Sequence, residues 1–297
     1  MNKYSISNIK QYKFHKVYIE LTNICGLECS FCPTKTTKTH TMNLDFYEKI
    51  LIQLKPYTKD IAFHVFGDPL TLSNLEKYLD LSLKHNFKVH ITTTGYYLKK
   101  FDLNLFLHKA IKQINFSLNS YNKNEMGFEF DEYLNPMFQL CDLKIKNKIH
   151  SFINFRLWNL DDKNSESKFN ADVFNSLSKK FNIDLSNIDY TQSKRLDNQI
   201  LIDFDKYFKW PNLDDEHSSN GYCHGLSSQI AILANGTVVP CCLDSFGIID
   251  LGNLHEKKLD DVLFSEKSLN IVNGFKQNIA VEELCQKCTF KNRFKKI

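Results

Sequence analysis

Apolar and polar positions alternate with a period of two in six short stretches between residues 17 and 191. They are VYIEL (17–21), IAFHVF (61–66), KVHITT (88–93), QINFSLN (113–119), SFINFRLW (151–158) and NIDYT (187–191). Period two predicts strands, because successive side chains point to opposite faces. Between them the apolar spacing turns helical. In NLDFYEKILIQL (43–54), Leu44, Tyr47, Ile50, Leu51 and Leu54 share one helical face. Further helices are predicted over 74–85 with Ser73 as cap, near 102–110, near 136–146 with Pro136 in the first turn, and near 171–181. Strands alternating with helices predict an α/β fold with a parallel sheet, open or curled into a partial barrel.

The two strand faces differ. One carries Val17, Ile19, Leu21, Ile61, Phe63 and Val65, and continues so through the later strands. The other carries Glu20, Thr22, His64, His90, Thr92, Asn115, Ser117, Asn119, Asn154 and Arg156. Parallel strands covered on both sides are usually apolar on both. The apolar set is therefore expected against the helices, and the polar set on the opposite surface, a lumen if the sheet curls. Ligands of such folds gather at the C-terminal strand ends.

Residues 192–222 break the alternation and read as a linker with one short helical piece; its FKWPNL stretch reads as packing between units. A smaller unit follows. QIAILANGTVVPCC reads as a hairpin with a two-residue Asn235-Gly236 turn. That register pairs Ala234 with Thr237 and Ile230 with Cys241, placing Cys241 on the sheltered face and Cys242 on the other. A short helix near 257–264 and the pair CQKC complete the unit.

Composition narrows the class. The chain has 297 residues, 42% hydrophobic and 24% charged, as in soluble globular proteins. A net charge of +4 is too slight to argue for nucleic acid, and the basic tail KNRFKK reads as a solvated end. No apolar run is long enough to span a membrane. The opening MNKYSISNIKQYKF lacks the apolar stretch of a signal peptide. A cytoplasmic protein with reduced thiols is expected. Nine cysteines there point to metal binding or catalysis more than to disulfides.

Seven of the nine fall into two spaced groups. In CGLECSFC, Cys25, Cys29 and Cys32 follow the first strand and precede Pro33, so they sit in a loop at a strand end. A structural zinc ion wants four ligands. A cube of four irons held by three thiolates leaves one iron open to an outside ligand with hard donor atoms. Cys141 lies among helical apolar positions and reads as a small buried residue.

CGLECSFC resembles the C-x3-C-x-aromatic-C signature of radical SAM enzymes, with Phe31 as the aromatic. The resemblance implies a partial (β/α)6 barrel over residues 1–195 and a [4Fe–4S] cluster on Cys25, Cys29 and Cys32. S-adenosylmethionine (SAM) would bind the fourth iron and yield a 5′-deoxyadenosyl radical. FGDPL resembles the family's Gly-Gly-Glu-Pro segment, which contacts the SAM amino group, with Gly67 and Asp68 at the matching positions. TTTG (92–95) resembles a common TTNG segment, with Thr94 at the asparagine. FSLNS resembles the segment that holds the ribose, which implies Ser117 and Asn119. Arg156 could pair with the SAM carboxylate. After a linker over 196–222, Cys223, Gly236 and Cys241 resemble the opening of the SPASM extension. With Cys285 and Cys288, and no cysteine after them, residues 223–297 resemble its shortened α+β form, twitch, holding one auxiliary [4Fe–4S] cluster. An electron donor such as a flavodoxin or ferredoxin is implied.

Alternatives stay open. The first three cysteines could be buried structural thiols or half of a zinc site, and Cys223, Cys241, Cys285 and Cys288 could hold zinc. The substrate could be a small molecule or a ribosomal peptide. The 24 residues before Cys25 leave no room for a peptide-binding domain, which favours the small molecule. A zinc-stabilised binding protein is the reading from another class. His64 is a pocket group or a core histidine, His90 reads as structural, and Glu20 and Thr22 are pocket or scaffold.

Overall fold

The computed structural model describes residues 12–294, so most of the opening segment and the end of the basic tail lie outside the described residues. In chain order the strands are β1 (Lys16–Ile19), β2 (Asp60–Phe63), β3 (Lys88–Thr93), β4 (Ile111–Ser117), β5 (Phe152–Leu160), β6 (Lys194–Asp197), β7 (Ile200–Lys206), β8 (Gln229–Ile232), β9 (Thr237–Val239) and β10 (Gly252–Asn253). They form one sheet ordered β10-β9-β8-β1-β2-β3-β4-β5-β7-β6. β1 to β5 and β7 run parallel in sequence, which is the wall of a partial barrel. The sheet ends on β10 and β6 and does not close on itself.

The apolar strand face is buried as expected, with Val17, Ile19, Ile61, Val89, Ile91, Phe116 and Phe155 at 0% exposure. It packs on α1 (Leu44–Leu54), α2 (Leu75–Lys84), α3 (Phe130–Lys146) and α4 (Ser167–Phe181). Asn43 caps α1 by accepting from the Phe46 N–H at 2.8 Å. Three helix expectations differ. The cap position of α2 is Asn74, not Ser73, and no side chain closes it. Residues Leu103–Leu107 form a 3-10 turn. Helix α3 starts at Phe130, so Pro136 lies inside it and not in its first turn.

The sixth parallel strand is not NIDYT but Ile200–Lys206, inside the segment read as a linker. Asp189 explains the difference. Its carboxylate accepts from the Thr191 N–H at 2.8 Å and from the Thr191 hydroxyl at 2.7 Å, a local turn that defeats the alternation. In ILIDFDK the residues Ile200 and Ile202 are fully buried, and β6 pairs antiparallel on its outer edge. The core sheet thus runs past residue 195 to residue 206.

The C-terminal unit joins the same sheet, because β8 pairs parallel with β1 (Val17 opposite Ile230, Ile19 opposite Ile232). Three helices follow, α5 (Leu259–Leu263), α6 (Glu266–Lys276) and α7 (Glu283–Lys287). The hairpin register is one residue off the expectation. Ala231 pairs with Val239 and Ile232 with Val238. The Leu233 N–H donates to the Thr237 carbonyl at 2.9 Å. The loop is Ala234-Asn235-Gly236, with Gly236 at φ +89°, the left-handed residue that a three-residue hairpin loop requires. β9 ends at Val239, just before Pro240, so strand alternation does not extend to Cys241 and Cys242. The basic tail is partly docked. Lys291 is buried and donates to the Gln286 and Cys288 carbonyls. Arg293 grips Asp205 of β7 with two bonds of 2.8 Å.

Candidate functional site

The loop after β1 is shaped by short polar side chains. Thr22 Oγ1 accepts from the Ile24 N–H and donates to the His40 carbonyl. The Asn23 carboxamide donates to the Lys38 carbonyl and accepts from the His40 N–H, both at 2.9 Å. These bonds fasten both ends of the Cys25–Cys32 loop. Asn124, beyond β4, reaches the loop from the side. Its Nδ2 donates to Cys29 Sγ at 3.0 Å, and its Oδ1 accepts from the Glu28 N–H at 3.0 Å. Hydrogen bonds from Cys32, Asn124 and Ser120 pull the Cys29 thiol below its ordinary range, while burial pushes Cys25 up to about 12. Asn124 and Ser120 escaped the sequence reading, because no spacing marks a loop residue that meets a thiol 95 positions away.

Glu20 is scaffold. Its carboxylate accepts the Phe66 N–H and the Ala234 N–H, both at 3.1 Å. Gly67 passes so near β1 that a Cβ there would lie 2.0 Å from the Thr22 carbonyl oxygen. Asp68 is 2% exposed and its oxygens are well supplied with donors. Oδ1 accepts from the Leu70 N–H at 2.9 Å; Oδ2 accepts from the Thr93 hydroxyl at 2.9 Å and from the Thr94 N–H and hydroxyl at 2.8 Å. Asp68 therefore ties the ends of β2 and β3 together, and Oδ1 keeps the freer lone pair.

Two adjoining cavities follow. The first is lined by Cys25, Cys29 and Cys32 and by every residue expected around SAM: Phe31, Gly67, Asp68, Thr94, Ser117, Asn119 and Arg156. The second runs along the polar strand face to the C-terminal cysteines. His64, Thr92, Arg156, Trp158, Phe208 and Trp210 border both. Phe208 and Trp210, expected as packing between units, thus also form cavity wall.

The second cavity is rich in bases. Lys16 and Tyr18, at the same strand parity as Glu20, face it with His64, His90 and Arg156. Arg156 stacks on Trp158, with its guanidinium carbon 4.3 Å from the ring centre, and its buried Nε has no partner. Burial, helped by Arg156 and Lys16, lowers His64 to about 4. Burial likewise lowers His90 to about 4, although it touches Asp60 at 2.9 Å. That contact, shared with Lys112 at 2.6 Å, makes His90 part of the base of the wall.

Cys223, Cys241, Cys242, Cys285 and Cys288 all line the second cavity, and all nine cysteines of the chain are free thiols. Burial raises Cys241, and Cys242, Cys223 and Cys285 raise it further. Burial, then Cys223 and Cys288, raise Cys285. Burial likewise raises Cys242, to about 11, although the Tyr18 hydroxyl donates to its sulfur and Lys16 lies near. Among the described residues no three His, Cys, Asp or Glu side chains close on one point as a single ion requires. A cube of several irons takes a wider spread of thiolates, so both sulfur sets suit such clusters in their chemistry.

A sequence model of the Radical SAM superfamily matches residues 19–155, and one of SPASM, an iron-sulfur cluster-binding domain, matches residues 223–289. The chain is a radical SAM enzyme with a SPASM domain. Iron–sulfur clusters and SAM are the cofactors that these domains imply. No curated protein matches this radical SAM chain significantly. Its fold is similar to that of BtrN in complex with AdoMet and 2-DOIA (TM-score 0.59, 17% identity, 93% of each chain). It is similar to Streptococcus suis SuiB bound to precursor peptide SuiA (TM-score 0.60, 16% identity, 97% of this chain and 74% of that one). It is also similar to anSMEcpe with bound AdoMet (TM-score 0.60, 16% identity, 93% and 83%). Among the described residues no helix is long and apolar enough to cross a membrane.

Proposed function

We propose that this radical SAM enzyme abstracts a hydrogen atom from a small molecule held in the second cavity and passes an electron of the resulting radical to an auxiliary cluster. The observation that carries the reading is Arg156, which borders the cavity of Cys25, Cys29 and Cys32 and also the cavity of the C-terminal cysteines. A reduced [4Fe–4S] cluster with bound SAM supplies the 5′-deoxyadenosyl radical when present.

The chain's own groups have distinct tasks in this reading. Cys25, Cys29 and Cys32 hold the first cluster, and Asn124 steadies Cys29. Asp68 Oδ1 takes the SAM amino group, Arg156 offers its fork of donors to the carboxylate, and Ser117 and Asn119 take the ribose. Thr94 positions Asp68, and Phe31 covers the cluster loop. Cys223, Cys241, Cys285 and Cys288 hold one auxiliary cluster, and Cys242 faces the substrate. The small-molecule reading draws on BtrN, a structure holding 2-DOIA and matched over 93% of both chains. SuiB, bound to a precursor peptide, keeps a peptide substrate as the second reading. A flavodoxin or ferredoxin would deliver the electron.

The test is anaerobic reconstitution. About eight irons per chain are expected for two cubes. The dithionite-reduced protein should form 5′-deoxyadenosine from SAM, and Cys29→Ala should form none. Four irons with bound zinc would overturn the auxiliary cluster, and deoxyadenosine from Cys29→Ala would overturn the whole reading.

A further inference from the structure

Lys16 has no stated task. It opens β1 on the lumen side and is largely enclosed, and its ammonium makes no hydrogen bond or ion pair among the described residues. Asp60 attracts Lys16 and Asp203 attracts Arg156, but neither carboxylate hydrogen-bonds to them, and each holds other donors. Asp60 Oδ1 accepts from His90 and Lys112. Asp203 takes the Trp158 indole N–H at 3.1 Å and the Ser193 hydroxyl at 2.6 Å. Asp244, the one acid lining the cavity, takes the Ile248 and Ile249 N–H groups at 2.8 and 2.7 Å. Arg156 is a second enclosed cation near Lys16, and the two repel. An enclosed ammonium without a hydrogen-bonded acceptor is costly, and an anion in the cavity would supply one.

SAM supplies one carboxylate at most for this pair. Arg156 borders the first cavity and can take it, whereas Lys16 lines only the second. With Arg156 occupied by SAM, Lys16 still lacks a hydrogen-bonded acceptor. Around it the Tyr18 hydroxyl, His64 and the Gln229 side chain offer further polar contact on the same wall.

We propose that the substrate carries an anionic group, a carboxylate or a phosphate, which binds at Lys16 on the lumen wall. The anion then anchors one end of the substrate at the start of β1, and the reacting carbon extends toward the first cavity at the strand ends. This rests on the proposed function for SAM at Arg156 and for what happens to the substrate afterwards.

The test uses the reconstituted full chain with SAM present and three small probes: inorganic phosphate, acetate and acetamide. Saturable broadening of the phosphate or acetate NMR signals is expected, and acetamide should show none; whichever anion binds tells phosphate from carboxylate. Lys16→Met should weaken the anion roughly tenfold or more, the loss of a charged hydrogen bond, and Lys16→Arg should restore most of it. Lys16→Met should also melt higher than wild type without anion, because an enclosed ammonium without an acceptor is gone. Anion binding that survives Lys16→Met marks an adventitious ion only and overturns the proposal, as does no saturable binding to wild type. If Lys16→Met fails to fold, Lys16→Gln carries the same comparison. Iron content and deoxyadenosine formation by the wild type judge the radical reading separately, so each idea can fail alone.

Discussion

The Glu20 carboxylate, just past the end of β1, accepts the backbone N–H of Ala234 in the C-terminal hairpin at 3.1 Å, and its other oxygen holds Phe66 N–H at the same distance. One side chain, 3% exposed, thereby fixes the hairpin and the Gly67–Asp68 loop to the same strand. Glu20→Ala strands two buried donors at about 1–3 kcal/mol each. A loss of roughly 2–5 kcal/mol in unfolding free energy is expected. Urea unfolding of the anaerobic protein measures it; a loss below about 1 kcal/mol would show that water replaces the carboxylate.

Asn124 donates to Cys29 Sγ at 3.0 Å. Hydrogen bonds to cluster sulfurs favour the reduced, more negative state. Asn124→Ala should keep its irons and shift the SAM-binding cluster to a lower midpoint potential. Redox titration followed by EPR reads the shift, and an unchanged potential would place the contact outside the cluster's influence.

Cys241 feels both Cys223 and Cys285, whereas Cys242 feels Cys223 but also accepts from Tyr18 and has Lys16 near. Cys241→Ala should lose about half the iron, and Cys242→Ala should keep all of it. Mössbauer spectra of the two variants decide, and the reverse result would exchange the two roles.

If Arg156 takes the SAM carboxylate, Arg156→Ala should weaken SAM binding roughly 10- to 100-fold, as for a charged hydrogen bond. Equilibrium dialysis measures this. Unchanged affinity in a folded variant would assign the guanidinium wholly to the substrate.

His64 and His90 both lie near 4, below the ordinary histidine value, because burial disfavours the charged ring. The unfolded chain then binds more protons between about pH 6.5 and 4, so stability falls as pH falls through that window. Each histidine contributes at most about 1.4 kcal/mol per pH unit. Unfolding midpoints at pH 7.5, 6.5 and 5.5 should show the decline, and His64→Asn should flatten it. An unaltered slope in that variant would show that His64 takes up protons equally in the folded and unfolded chain.

Much of this was legible from residue pattern. Strands β1 to β5 follow from period two, and the lumen from polar parity at His64, Asn115 and Arg156. The cluster loop stands out because three thiols recur within eight positions. NIDYT misled because Asp189 can satisfy its own backbone, a local bond that competes with pairing. The hairpin misled because Asn-Gly serves a three-residue loop as well as a two-residue one, and one residue moves every partner. Lys16 and Tyr18 shared the parity of Glu20 and could have been read. Asn124 could not, since only the folded chain brings it to Cys29.

The parallel seam between β1 and β8 also sets an order in time. β1 leaves the ribosome roughly 210 residues before the strand that covers its edge. At about 5–20 residues per second, that is on the order of 10–40 s with an open strand edge. Unpaired edges recruit other chains. Nascent copies are therefore most vulnerable to aggregation just before the hairpin is made, and a chain cut at residue 222 would stay in that state.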